Sequence, residues 1–173
     1  MKSVERHWLE AVPWESVLEI NRALCQAQQV EQVTKAQALA TARQCWDQAI
    51  KKPMGLADVL QVCRECHDAG PFVFNNGNTF GSVAKTLITD WLKNLPPLEA
   101  EIVRATVSHY VVGLVGKREL LDILKHFEPV LKKAASSKPA EPPVSTSTAA
   151  APPVQTKAIQ AAPIQTAPAS QAV

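Results

Sequence analysis

A chain of 173 residues, 46% hydrophobic and 20% charged, is long enough for one domain with a proper core and too short for two ordinary ones. Its net charge of +2 is split evenly, with 16 Lys and Arg against 15 Asp and Glu in residues 1–133 and 2 against 1 in residues 134–173, which excludes a strong field for nucleic acid or an anionic membrane. Seven of the 13 prolines (Pro139, Pro142, Pro143, Pro152, Pro153, Pro163 and Pro168) fall in the last forty residues, where aromatic residues are absent. Such a stretch cannot bury enough apolar surface to offset the entropy of ordering it. Residues 134–173 are therefore expected to form a disordered Ala/Pro/Ser/Thr/Gln-rich tail after a body of residues 1–133.

The opening MKSVERHWLEAVPW lacks the apolar region of a secretory signal, and no apolar run approaches the roughly 18 residues of a membrane span. A cytoplasmic location is the expectation, and there Cys25, Cys45, Cys63 and Cys66 would be reduced thiols. Ser3–Val12 predicts a short helix that stops before Pro13, with Trp8 as its apolar anchor. From Pro13 to Val30 a longer helix carries two stripes, Val17, Ile20, Leu24 and Ala27 on one side and Trp14, Leu18 and Cys25 on the other. Thr34-Lys35-Ala36-Gln37 fits a capping box that opens a helix as far as Ile50, closed by Lys51-Lys52-Pro53. A third helix runs from about Gly55 to Asp68 with Leu56, Val59, Leu60, Cys63 and Cys66 inward, and Gly70-Pro71 stops it.

Pro71 to Asn78 reads as a loop, with Phe72 to Phe74 briefly extended before Asn75-Asn76-Gly77 turns the chain. Asn78 or Thr79 then caps a helix with Phe80, Val83, Ala84, Leu87, Ile88, Trp91 and Leu92 on one face. Leu98 to about Leu114 makes the fifth helix, apolar on two sides (Leu98, Ile102, Ala105, His109 and Val112; Val103, Val107, Tyr110, Val111 and Leu114) and so expected at the centre of the bundle. Lys117 opens the last, with Leu120, Leu121, Ile123, Leu124 and Phe127 inward and Pro129 ending or kinking it. No repeat of fixed period appears. The fold expected is all-α, a single compact bundle of five to six short helices.

One string matches a pattern with chemistry attached. Cys63-Arg64-Glu65-Cys66-His67 is a C-x-x-C-H sequence at the end of a helix before a Gly-Pro turn, and at those residues it resembles the attachment site of small c-type cytochromes. That resemblance implies haem c on the two thiols, with His67 as an axial ligand. The distal Met of that family has no counterpart downstream, since the methionines are Met1 and Met54, which leaves His109 or His126 as substitutes. A zinc site on Cys63, Cys66 and His67, joined by Cys25 or Cys45, is the other metal reading. Against both, the cysteines extend the apolar stripe begun at Leu56, and burial alone accounts for them. A redox role would want the pair at a helix N-terminus, whereas it lies in the C-terminal half of its helix.

The polar loop Asn75-Asn76-Gly77-Asn78-Thr79 is the candidate binding loop, since irregular segments on rigid scaffolds often carry function. Gly77 to Ser82, with Lys85 one turn on, faintly resembles an anion site at a helix N-terminus but lacks the spacing and the Gly-Lys-Ser/Thr ending of a P-loop. The plainer alternative is a cap and a loop that set Phe72, Phe74 and Phe80 over the core. His109 reads as a core residue, and Lys117, Arg118, Lys125, Lys132, Lys133 and Lys138 as a solvated face. With no catalytic cluster in the spacing, the sequence points to a non-enzymatic helical module, adaptor or regulatory, that binds a protein partner or itself. A metal- or haem-binding protein is the rival, and a nucleic-acid-binding regulator a weaker third.

Overall fold

The computed structural model describes residues 5–93 and 95–136. Among them lie six α-helices: α1 Trp14–Ala27, α2 Ala36–Ala49, α3 Leu56–Ala69, α4 Asn76–Leu92, α5 Pro97–Val111 and α6 Lys117–Ser136, preceded by a 3-10 turn at Trp8–Ala11. The protein is an all-α bundle. Its only extended pairings among the described residues are isolated antiparallel bridges, Arg6 with Met54 and Thr34 with Phe72. No described helix is long and apolar enough to cross a membrane. The tail expected after residue 133 lies outside the described residues, apart from the end of α6.

The helix expected over Ser3–Val12 shrinks to the 3-10 turn in the part described. Arg6 exchanges both backbone bonds with Met54 (3.1 and 3.0 Å), and a residue so extended cannot also start a helix. Leu9, rather than Trp8, is the buried anchor. Trp8 is half-buried and donates its indole N–H to the Met54 carbonyl at 2.9 Å. Pro13 sits just outside α1 in extended conformation, and α1 ends at Ala27, before Gln29 turns left-handed at φ 55°.

The capping box proposed for α2 does not form. Thr34 is drawn into its bridge with Phe72, Lys35 takes the cap position, and no side chain bonds to the first turn. The Lys35 N–H instead donates to the Pro71 carbonyl at 2.9 Å. A tertiary pairing has overridden a local signal. α3 ends as its sequence predicts, with Gly70 at φ 68°, a conformation that costs glycine nothing and side chains about 1 kcal/mol or more.

The core is organised by α3 and α4. α3 packs on α2, α4 and α5, α4 on α1, α3 and α5, and both meet the N-terminal 3-10 turn. Leu56, Val59, Leu60, Cys63 and Cys66 are the buried residues of α3, in agreement with their spacing. On α4 the buried set is Phe80, Val83, Ala84, Leu87, Ile88 and Leu92, with Thr79 and Gly81 added. Gly81 allows α5 to approach closely, since a Cβ there would lie 2.7 Å from the Ser108 hydroxyl. Trp14 and Trp46 close the α1–α2 end edge to face at 5.9 Å, and the Trp46 indole donates to the Val12 carbonyl at 3.2 Å.

α5 is not the centre. One of its stripes, Val103, Val107, Tyr110 and Val111, is buried, but Leu98 (75% exposed), Ile102 (42%) and His109 face solvent. His109 is therefore a surface residue, and Leu114 lies exposed beyond the helix end. α6 packs chiefly on α5 through Leu120, Leu124 and Phe127. Pro129 neither ends nor interrupts it, because it lies on the exposed side, where water can take the carbonyl that a proline leaves unpaired.

Phe80 is fully buried against Phe72, with ring centroids 6.1 Å apart. Phe80→Ala is expected to cost about 3–5 kcal/mol in urea denaturation, whereas Phe74→Ala, at a position 43% exposed, is expected to cost under about 1 kcal/mol.

Candidate functional site

The polar loop is the end of a buried network rather than an open site. It begins on α1. Trp14, Val17 and Cys25 form one inward face, and Asn21 stands in its middle, fully buried. A primary amide offers two N–H donors and an oxygen with two lone pairs, and the fold engages all four. Its Nδ2 donates to the Phe74 carbonyl and to Thr79 Oγ1, both at 2.9 Å. Its Oδ1 accepts from Gln32 Nε2 at 3.1 Å and from the Cys25 thiol at 3.8 Å. One side chain thus ties α1 to the connection before α2 and to the connection before α4.

The remaining loop residues continue this wiring. Asn75 turns left-handed at φ 60°, which asparagine tolerates better than most residues, and its carbonyl accepts from the Thr79 N–H and hydroxyl, each at 2.8 Å. Its Nδ2 donates to Gln28 Oε1 at 3.0 Å and towards the Cys25 sulfur at 3.7 Å. Asn76 spans the α3–α4 corner: Nδ2 donates to the His67 carbonyl at 2.8 Å, and Oδ1 accepts from the Phe72 N–H at 3.4 Å. Asn78 donates to Asn75 Oδ1 at 3.2 Å.

Gly77 sits against Val112 and His67, where a Cβ would lie 3.2 Å from Val112 Cγ1. Because α4 starts at Asn76, Asn76 to Ser82 is helix and not loop, and the Gly77–Ser82 stretch offers no open, glycine-rich turn to an anion. Among the described residues no buried side-chain nitrogen or oxygen lacks a partner.

The network sets the direction of its neighbours. In the Thr34–Phe72 bridge Val33 stands opposite Val73, with the Val73 N–H donating to the Val33 carbonyl at 3.0 Å, so the two side chains share a face. Phe72 points the other way, into the core. Phe74, expected over the core, is exposed instead, because its carbonyl is held inward by Asn21. Val33, Val73 and Phe74, each 40–47% exposed, are the large apolar side chains that these two connections leave open to solvent.

Cys63, Cys66 and His67 do not converge. Both thiols are fully buried, and Cys66 donates to the Ala42 carbonyl of α2 at 3.5 Å. The His67 ring faces away from them, with Nδ1 3.0 Å from Asp68 Oδ1 and Nε2 near Gly77. Among the described residues no three His, Cys, Asp or Glu side chains are gathered so as to hold a metal ion. Cys25 belongs to the Asn21 network, and Cys45 is half-buried, its thiol 3.8 Å from Glu65 Oε2.

Burial drives the Cys63 thiol up to about 12 and raises Cys66 and Cys45; the nearby Cys45 adds to the rise at Cys63 and Cys66, while a hydrogen bond with Cys66 opposes it at Cys45. Such groups stay protonated and unreactive at neutral pH. Beside them, Tyr110 donates its hydroxyl to Gln61 Oε1, Gln61 donates to Glu65 at 3.0 Å, and Arg64 lies over the Tyr110 ring at 5.1 Å. Burial raises the phenol, opposed by Arg64, so this group too keeps its proton and acts as a strut between α3 and α5.

Comparison with family models, curated proteins and solved structures finds no match to any of them.

Asn21→Asp is nearly isosteric but replaces two donors by a charged oxygen facing the Phe74 carbonyl. It is expected to destabilise the protein by about 3 kcal/mol or more, and by more than Asn21→Leu, in denaturant titrations at neutral pH. The thiols give a pH dependence. A thiol whose pKa is raised from 9.0 to about 12 holds its proton in the folded chain while the unfolded chain loses it, so Cys63 stabilises fully below pH 9 and its contribution is lost as pH rises from 9 to 12. Stability measured under reducing conditions should fall above pH 9, at up to about 1.4 kcal/mol per pH unit for Cys63. Cys63→Ala should start lower and fall less steeply.

Proposed function

We propose that the protein is a non-enzymatic helical interaction module, adaptor or regulatory, that docks a protein partner on the Val33, Val73 and Phe74 knob. The observation that supports this is the contrast between the knob and its base. The polar side chains of Asn75, Asn76, Asn78 and Thr79 are engaged in bonds within the chain, and the apolar Val33, Val73 and Phe74 are among the residues turned to solvent beside them. A rigid apolar projection on a polar rim suits recognition of a protein surface better than binding of a small polar substrate. Residues 134–173, on their composition, would act as a spacer or low-affinity contact, and four free thiols suit a reducing cytoplasmic setting.

The test compares the full chain with a triple variant, Val33→Ser, Val73→Ser and Phe74→Ser, as baits in cells that express the protein. A specific partner should be captured by the wild type and reduced about tenfold or more by the variant, the scale of losing some 1.4 kcal/mol of binding, with the melting temperature nearly unchanged. An unchanged captured set, or turnover of a small molecule by the purified chain, overturns the proposal.

A further inference from the structure

We propose that Cys45 of α2 and Cys66 of α3 are the two halves of a disulfide that forms when hydrogen peroxide oxidises Cys45, tying the two helices together. Cys66 has Cys63 as its neighbour in the sequence, but the fold gives it another. Its thiol donates to the Ala42 carbonyl at 3.5 Å, and Ala42 stands one turn before Cys45 on α2. The Cys45 thiol in turn lies 3.8 Å from Oε2 of Glu65, the residue before Cys66 on α3. Each thiol thus reaches the other's helix within a turn of the other's position, and the two interact directly as hydrogen-bonded groups. Cys63 and Cys66 are fully buried, whereas Cys45 is half-buried and is the one of the three that meets solvent.

A half-open thiol beside a buried one is the arrangement in which the first is oxidised and the second resolves it. The Cys45 sulfur, giving up its proton, attacks one oxygen of the peroxide. The O–O bond breaks, water leaves, and Cys45 becomes a sulfenic acid. The Cys66 sulfur then attacks the Cys45 sulfur, the S–O bond breaks, and the departing hydroxide takes the Cys66 proton as a second water. Each sulfur is oxidised by one electron, and the peroxide takes up both. Burial holds both thiols protonated at neutral pH, so the bridge accumulates under sustained oxidation and not in a brief exposure. It closes a loop over residues 46–65 and fastens α2 to α3, the helix on which α2 chiefly packs.

The inference does not rest on the docking of a partner at Val33, Val73 and Phe74, and its failure leaves that reading standing. The test treats the folded, dilute full chain with hydrogen peroxide, blocks the remaining thiols with N-ethylmaleimide and maps the tryptic peptides. Trypsin separates the three thiols, with Cys45 in residues 44–51, Cys63 in 52–64 and Cys66 in 65–85. Peptide 44–51 joined to 65–85 is expected as the main product, reversed by dithiothreitol, and the bridged chain is expected to melt about 5 °C or more above the reduced one. Cys45→Ser, at a half-buried position, is expected to fold and to leave Cys66 unbridged. Peptide 52–64 joined to 65–85 as the main wild-type product overturns the pair, as does a Cys45 that proceeds to sulfinic acid while Cys66 stays free. A Cys45→Ser chain that bridges Cys66 as fast as the wild type, or a bridged chain no more stable than the reduced one, overturns it equally.

Discussion

The Asn21 side chain is the constraint on which the rest of this structure depends. A buried amide is costly unless every donor and lone pair finds a partner. Here the partners come from three separate segments: Gln32 before α2, Phe74 before α4 and Thr79 within it. Satisfying Asn21 therefore fixes where both connections pass over α1. The Thr34–Phe72 bridge then follows, since the two connections are held side by side, and so does the outward direction of Val33, Val73 and Phe74.

The C-x-x-C-H string shows how a motif can be explained by its helix. Cys63 and Cys66 occupy the core face of α3 because they extend the register of Leu56, Val59 and Leu60. A histidine directly after Cys66 is rotated about 100° around the helix, and His67 duly lies on another side, beside Asp68 and Gly77. Three residues adjacent in sequence are thus separated in direction. The thiols pack against α2 as small hydrophobes, and burial keeps them protonated.

Helix positions were largely legible from the sequence, because each of α1 to α5 carries an apolar repeat bounded by proline or glycine, and Gly70 marked its cap correctly. The candidate site was legible only in part. Asn75 to Thr79 stood out as polar, but Gln28, the partner of Asn75, and Asn21, the partner of Thr79, lie 47 and 58 residues away in the chain, with no local pattern linking them. Asn21 was hidden by its own setting: with a polar residue in the gap, the inward face of α1 reads as two stripes. The α2 cap failed for a related reason, since Thr34 serves Phe72 and not its own helix.

By itself, then, the sequence determined the helical class, the helix boundaries to within a few residues, and the buried face of α3, since these follow from local periodicity and from the stereochemistry of proline and glycine. Tertiary structure alone decided which apolar residues are covered. Leu98, Ile102 and His109 follow the same helical period as Val103, Val107 and Tyr110, yet the first set meets solvent and the second is buried in the core. Periodicity reports that a face is apolar, and only the placement of neighbouring helices determines whether the chain itself fills the space beside it. The same holds for the polar network, because hydrogen bonds between distant segments leave no trace in the spacing of residues along either one.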